Sequence, residues 1–452
     1  MGTPPQRKGH APTSRQALSA EGFGLKKVEG RHTLHGLPLS DLASEFGSPL
    51  FVVDGERLDA QAQAVADLPA HVRVAFSYKT NAIWSVLQRL HTHGLGAEVV
   101  SGHELELARR LAVPADRTVF NGPAKGEAAV RAAWAREVLV NANSIEELEH
   151  LADWAKEAAV RPRVGVRFQA RAGWKGQFGV ALAQEDEAWA RARRRREVEL
   201  SAVHVHHGAA LRDANSVRRL ARGAFSCWLR GRRAGLPLTD LDLGGSLAVP
   251  TVRQASPREL RRAMTDRVPL PPPDPTSTID LSTWAQVLLH EVAELSARHG
   301  EGPTRIWLEP GRALTASTHW LLTSVVETHS TDQDRYGILD AGMNVADVVR
   351  RSWHAIFPAD PTARARSRTY RLVGPTCAPG DVLSPAIPLP GLRPGDVLAI
   401  ADAGAYFDAF STHFSFPRPA VVWVDREGVR LVRRRETTDD ILGRELAQPP
   451  GR

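Results

Sequence analysis

Between residues 72 and 309 the chain repeats one unit eight times: a short extended run followed, in most cases, by a longer segment of helical period. The extended runs lie at 72–79, 96–100, 117–121, 137–141, 163–168, 202–207, 240–245 and 305–309, and segments such as 103–111, 124–135 and 145–159 carry apolar residues at helical spacing. A helix between two strands brings the second back parallel to the first, so the repeat requires a parallel sheet. Neither a Gly-x-Gly-x-x-Gly turn nor a Gly-x-x-x-x-Gly-Lys phosphate loop occurs. Eight units therefore suit an α/β fold of (β/α)8 TIM-barrel type better than an open doubly wound sheet.

The first run shows how such a barrel uses its strands. Val72, Val74, Phe76 and Tyr78 alternate with Arg73, Ala75, Ser77 and Lys79, which puts bulk on one face and small or polar groups on the other. Small inward residues leave room at the barrel mouth, where Lys79 closes the strand. A lysine at a strand end is ordinarily a solvated surface group. This chain has seven lysines, none after position 175, and Lys79 alone ends a clear alternating strand. That makes it the candidate for amine chemistry.

The flanks define the domains. Residues 1–21 are expected to be a disordered tail, being rich in Pro, Gly, Gln, Ser and basic residues. Residues 22–49 form an N-terminal segment joining a β domain, and 50–315 the barrel, opened by a short strand at 50–53 and a helix at 54–68. A Pro-rich insertion at about 251–280, with Pro-Leu-Pro-Pro-Pro-Asp-Pro at 269–275, interrupts the barrel. From 316 to 452 short strand candidates punctuated by Pro and Gly, at 320–327, 336–340, 369–373, 396–401, 420–425 and 429–433, indicate a β-rich C-terminal domain.

Composition excludes several classes. No apolar run reaches the roughly 18 residues needed to span a bilayer, and residues 1–20 lack a secretory hydrophobic segment, so a cytoplasmic protein without a membrane partner is expected. Cys227 and Cys377 are too few and too far apart for a disulfide framework or a metal cluster, and no metal is expected. The net charge of +7 comes from arginine spread along the chain. Its densest run, Arg191 to Arg196, lies on a solvated helix without interleaved aromatic residues, which argues against a nucleic-acid partner.

A barrel gathers all its strand ends at one face. Besides Lys79, that face receives His206 followed by Gly208, the pair Gly244-Gly245 with Ser246, and Glu309-Pro310-Gly311-Arg312. Each has a bland reading: a core histidine, a turn, a surface ion pair. Together they supply an amine for an imine, a flat imidazole, free N–H groups and a guanidinium for a phosphate, and a carboxylate for a pyridine nitrogen. That inventory suits pyridoxal 5'-phosphate.

These motifs, with others in the same order, resemble the fold-type III PLP-dependent decarboxylases, the group that contains diaminopimelate and ornithine decarboxylases. The resemblance runs from about residue 33 to 424. It is carried by Tyr78-Lys79-Thr80-Asn81, by Glu98 to Leu105, by His206, Gly244-Gly245 and Glu309-Pro310-Gly311-Arg312, and by Asp340 to Asn344, Gly374 to Cys377 with Asp381, and Gly404-Ala405-Tyr406. It implies that Lys79 forms the imine, His206 stacks on the cofactor, Gly244, Gly245, Gly311, Arg312 and Tyr406 bind it, and Glu309 meets the pyridine nitrogen. It also implies a homodimer with shared active sites, in which Cys377 returns the proton after CO2 loss, and an amino-acid substrate contacted by Arg312, Arg350, His354 and Asp381.

The Asp340-Ala-Gly-Met-Asn344 block and Gln177-Phe178-Gly179 look closer to the diaminopimelate than to the ornithine branch. Three departures bear on the substrate. Ala378 stands where the branch carries a glutamate after the cysteine, His354 replaces a tyrosine, and Ala209 and Ser246 replace a phosphate-side serine and a third glycine. A buried ammonium with no carboxylate partner costs several kcal/mol. The expectation is therefore decarboxylation of an amino acid whose distal end is modified or conjugated, in secondary-metabolite or siderophore biosynthesis. The alternatives are an authentic meso-diaminopimelate decarboxylase of lysine biosynthesis, a racemase on the same barrel, or a PLP-binding homologue without catalysis.

Overall fold

The structure is a computed structural model that describes residues 14–173, 176–208, 210–361 and 367–445. Eight parallel strands close into a barrel: β1 (Val72–Ser77), β2 (Gly96–Val99), β3 (Thr118–Phe120), β4 (Leu139–Ala142), β5 (Arg163–Gln169), β6 (Glu199–His206), β7 (Asp240–Asp242) and β8 (Arg305–Leu308). Closure is made by β8 against β1, with Leu308 opposite Val74.

Alternation along β1 explains the closure. Val74 and Phe76 join the large core between strands and helices, where full burial of such side chains is worth roughly 1.5–3 kcal/mol each. Ala75 meets Val119, Leu139, Ala202 and Trp307 in a separate cluster inside the barrel. One large residue among small ones fills the narrow interior, and the Trp307 indole N–H donates to Asp240 Oδ2 at 2.9 Å. The layer above is polar and buried: Ser77, Glu98, Asn121, Asn141, His204, Asp242 and Glu309.

Leu50–Asp54 departs from the sequence expectation. It pairs antiparallel with His319–Ser330 and parallel with Ala420–Asp425, so it lies in the second domain's sheet, and the barrel's own elements begin with the Gly55–Ala66 helix. All five of its residues are buried, and a continuous apolar run reads alike in either sheet. The second sheet has nine strands and one edge formed by Val382–Pro390, which the sequence reading omitted.

The expected disordered tail is shorter than 1–21. Its first 13 residues lie outside the described part, but Ser14–Ala17 is a helical turn, and Ala20, Phe23 and Leu25 pack into the β domain beside Leu34 and Trp320. The Pro-rich insertion also carries structure. Its helix Pro257–Asp266 opens with a Ser256–Glu259 capping box, and Arg253-Gln254 pair with Ser352-Trp353 of the β domain. Within the Arg191 to Arg196 run, Arg191 pairs with Glu187, and Arg195 with Glu149 and Asp153. Among the described residues no helix is long and apolar enough to cross a membrane.

Candidate active site

Lys79 sits on a single 3-10 turn, Tyr78–Thr80, directly after β1. Its Nζ donates to Glu98 Oε2 at 2.5 Å, and Ser77 Oγ donates to the same oxygen at 2.5 Å. Burial opposes the lysine's charge, but the carboxylates of Glu98 and Glu309 outweigh it and hold its pKa above the ordinary value. Asn81 ties this turn to the second domain: its amide donates to Gly404 O at 3.1 Å, while Tyr406 N–H donates to Thr80 O at 2.8 Å. The lysine and the Gly404-Ala405-Tyr406 loop are thereby fixed as one unit.

Glu309 follows β8 into the buried polar layer. Its Oε1 accepts from Asn121 Nδ2 at 2.5 Å, and its Oε2 lies 3.5 Å from His204 Nε2 and 3.8 Å from His206 Nδ1. Burial works against its ionisation, but His204, His206 and Lys79 more than offset this, and Glu309 stays a carboxylate. Asp242 takes the opposite role. Burial, reinforced by the charge of Glu309, pushes its carboxyl well above the usual range, and its Oδ1 accepts from Gly244 N at 2.9 Å. Burial likewise drives His204 down to about 3 and lowers His206, so both imidazoles are neutral near pH 7. His204, His206 and Glu309 also bring metal-ligand atoms within 4.8 Å of one another. Of the three, His206 and Glu309 line the Lys79 cavity.

That cavity, of about 300 Å³, is lined by Lys79, His206, Ser246, Glu309, Arg312 and Tyr406, with Gly311 at its wall. The Arg312 guanidinium lies 5.0 Å from the centre of the Tyr406 ring. Side chains are excluded where the backbone must come close: a Cβ on Gly244 would overlap the His206 ring, on Gly245 the Glu309 carbonyl, and on Gly311 the Thr80 hydroxyl. An amine, a neutral flat imidazole, an ionised buried carboxylate, bare backbone and a guanidinium with no carboxylate within 4.0 Å among the described residues fit pyridoxal phosphate group by group.

Four expected site residues lie elsewhere. Cys377 is exposed on a loop with a left-handed φ of 56° and does not line the Lys79 cavity. Asp381 is a buried brace: Oδ1 accepts from Met343 N at 2.7 Å, and Oδ2 from Thr376 Oγ1 at 2.6 Å. Buried in this way, its carboxylate holds the cysteine loop and does not line the Lys79 cavity. His354 is a core residue with both ring nitrogens satisfied internally: Nδ1 lies 3.0 Å from Ala401 O, and Nε2 3.1 Å from Ser352 Oγ. Arg350 is half-buried against Asp347 at 2.5 Å, near Gly380 of the cysteine loop. Ala209 lies outside the described residues.

The sequence reading missed Glu98 as the partner of Lys79, Asn121 as the partner of Glu309, and Asp242 beneath Gly244. Glu98 lies within a short strand, Asp242 ends one and Asn121 directly follows one, and a buried polar residue at such a strand position was the available signal. Arg212 and Gln254 line the cavity as well and carried no motif.

The loop that delivers Tyr406 contains one further buried acid. Burial raises the Asp402 carboxyl to about 6. Its folded-state pKa therefore exceeds the unfolded one, so its contribution to stability is present below about pH 4 and lost as pH rises through about 6. Asp402 also has φ 57°, which asparagine tolerates. Asp402→Asn is expected to raise Tm by a few degrees at pH 8 and by little at pH 4, measured by calorimetry across pH.

Comparison with known proteins agrees with this geometry. Residues 56–316 match the pyridoxal-binding domain of the pyridoxal-dependent decarboxylases. The chain is 31% identical over 440 residues to a diaminopimelate decarboxylase of Pseudomonas aeruginosa, covering 92% of this chain and 96% of the relative. It is 30% identical over 417 residues to that of Deinococcus radiodurans, covering 90% and 98%. A crystal structure of the Methanocaldococcus jannaschii diaminopimelate decarboxylase superposes with a TM-score of 0.81 at 25% identity, over 94% of this chain and 98% of that one. The chain belongs to the fold-type III pyridoxal-phosphate-dependent decarboxylases, enzymes that remove a carboxylate from an amino acid. Within them it lies on the diaminopimelate decarboxylase branch.

Proposed function

We propose that the chain decarboxylates meso-diaminopimelate and works as a homodimer with shared active sites. The observation that carries the substrate is the end-to-end match to relatives named diaminopimelate decarboxylases. The expected role in specialised biosynthesis draws no support from these relatives.

In this reading Lys79 would hold the cofactor's aldehyde carbon, with Glu98 at 2.5 Å placed to take and return the amine proton. Glu309 would keep the pyridine nitrogen protonated, and His206 would offer its imidazole to the ring. Gly244, Gly245, Arg312 and Tyr406 would hold the phosphate. Bound pyridoxal phosphate supplies the electron sink for the pair left behind by departing CO2. Cys377 of a second copy returns a proton to the carbon that lost its carboxylate; the exposed, left-handed loop that carries it supports donation outward from its own chain. Arg350, whose guanidinium lies beside Gly380 of that loop, would offer a cation to a substrate carboxylate.

One observation favours a second reading of the substrate. Ala378 puts a methyl group where the branch places an acid, so a free distal ammonium would lack its partner, whereas an acylated or conjugated distal amine would need none. Release of CO2 from meso-diaminopimelate by the purified, cofactor-loaded protein decides between them. A kcat of roughly 1 s⁻¹ or more is expected. Absence of turnover in protein that binds the cofactor through Lys79 would overturn the diaminopimelate assignment and leave the modified-substrate reading.

A further inference from the structure

Ser246 follows Gly244-Gly245 and lines the cavity with a left-handed φ of 71°, a conformation that suits glycine better than serine. The hydroxyl compensates by what it contacts. Its Oγ lies 2.9 Å from Gly208 N and 3.1 Å from His206 Nε2. Gly208 N–H can only donate. For the imidazole the tautomer decides, and its other nitrogen fixes it: His206 Nδ1 accepts from Gly245 N at 3.3 Å, while the Glu309 carboxylate, at 3.8 Å, is beyond hydrogen-bond reach. Burial keeps the ring neutral, so Nε2 carries its single proton and donates to Ser246.

A hydroxyl has two acceptor sites and one donor. Both acceptor sites of Ser246 are filled, and its own O–H has no acceptor among the described residues. It opens on a cavity whose other polar lining includes Arg312 and Arg212, neither of which has a carboxylate within 4.0 Å among the described residues. The O–H and the two guanidiniums are donors that an anion would satisfy.

We infer that the Ser246 hydroxyl donates a hydrogen bond to the phosphate of pyridoxal phosphate while its lone pairs lock His206 in the Nε2–H tautomer. Ser246 thus joins the glycine pair as a phosphate ligand and positions the imidazole that faces the ring. The loop does not bind more weakly for lacking a third glycine; it exchanges backbone ease for a donor. This rests on the reading of the cavity as the cofactor site.

Removing the phosphate from the ligand tests it. Apo-protein is titrated with pyridoxal phosphate and separately with pyridoxal, following the visible absorbance that borohydride abolishes, for wild type, Ser246→Ala and Ser246→Gly. Glycine is at ease at this φ, so that variant protects against a folding artefact. Both variants are expected to weaken pyridoxal phosphate by about tenfold to a hundredfold, the range for a hydrogen bond to a charged group, and to leave pyridoxal within about twofold of wild type. Equal weakening of the two ligands would overturn the inference, because the hydroxyl would then act only through His206. So would unchanged affinity for pyridoxal phosphate. If wild type itself binds neither ligand, the cofactor site is misassigned and the inference falls with it.

Discussion

Lys79→Ala is expected to abolish decarboxylation, by on the order of 10⁴-fold or more, while leaving a folded protein that still takes up pyridoxal phosphate without the borohydride-sensitive absorbance. The size of the effect follows from position. Among the described residues Lys79 is the only amine in the cavity lining, and the turn that carries it is pinned to the second domain through Asn81 and Tyr406. The fold survives because the lysine side chain is 40% exposed, so its ion pair with Glu98 adds little to stability. Glu98 also keeps hydrogen bonds from Ser77 and Asn121 when the ammonium is gone. Lys79→Arg is expected to be equally inactive, because a guanidinium keeps the charge and is not nucleophilic. Retention of both turnover and the reducible absorbance in Lys79→Ala would remove the lysine from the chemistry. Its loss of fold, seen as a Tm drop of more than about 10 °C, would make it a structural cation instead.

The barrel was legible because short extended runs recur between segments of helical period, and all eight expected runs correspond to observed strands. The site was legible in part for a related reason: glycines that admit no Cβ and a lysine at a strand end stand out at fixed places. Val382–Pro390 was hidden because Pro385, Pro388 and Pro390 forbid a central strand. The structure resolves that conflict by placing it at the sheet edge, paired among the described residues only with Ser367–Val373. Leu50–Asp54 was misassigned because burial on both faces erases the alternation that separates one sheet from another. His354 and Asp381 were placed by motif order alone. Their side chains point into the β domain and the base of the cysteine loop, and such orientation is set by contacts 38 residues away in sequence for Asp381 and 47 for His354.

Cys377→Ala is expected to lower product formation by about 10²- to 10⁴-fold, the usual loss when a proton donor is removed, with little effect on cofactor binding. The decisive experiment combines it with the first variant. Within one chain Cys377 and Lys79 belong to separate places: the cysteine is exposed on a loop braced by Asp381, and the cavity around Lys79 does not include it. If each active site joins Lys79 of one copy to Cys377 of another, then mixing Lys79→Ala with Cys377→Ala chains creates hybrid dimers with one complete site and one doubly damaged site. Random association makes about half the dimers hybrid, each with one good site of two, and recovers about one quarter of wild-type activity from two inactive proteins. If instead each site is built from a single chain, every site in the mixture carries a lesion and nothing is recovered. Purifying the hybrids through two different tags shows that chains have exchanged. An inactive hybrid isolated in that way would overturn the shared site and return Cys377 to the role of an exposed loop residue.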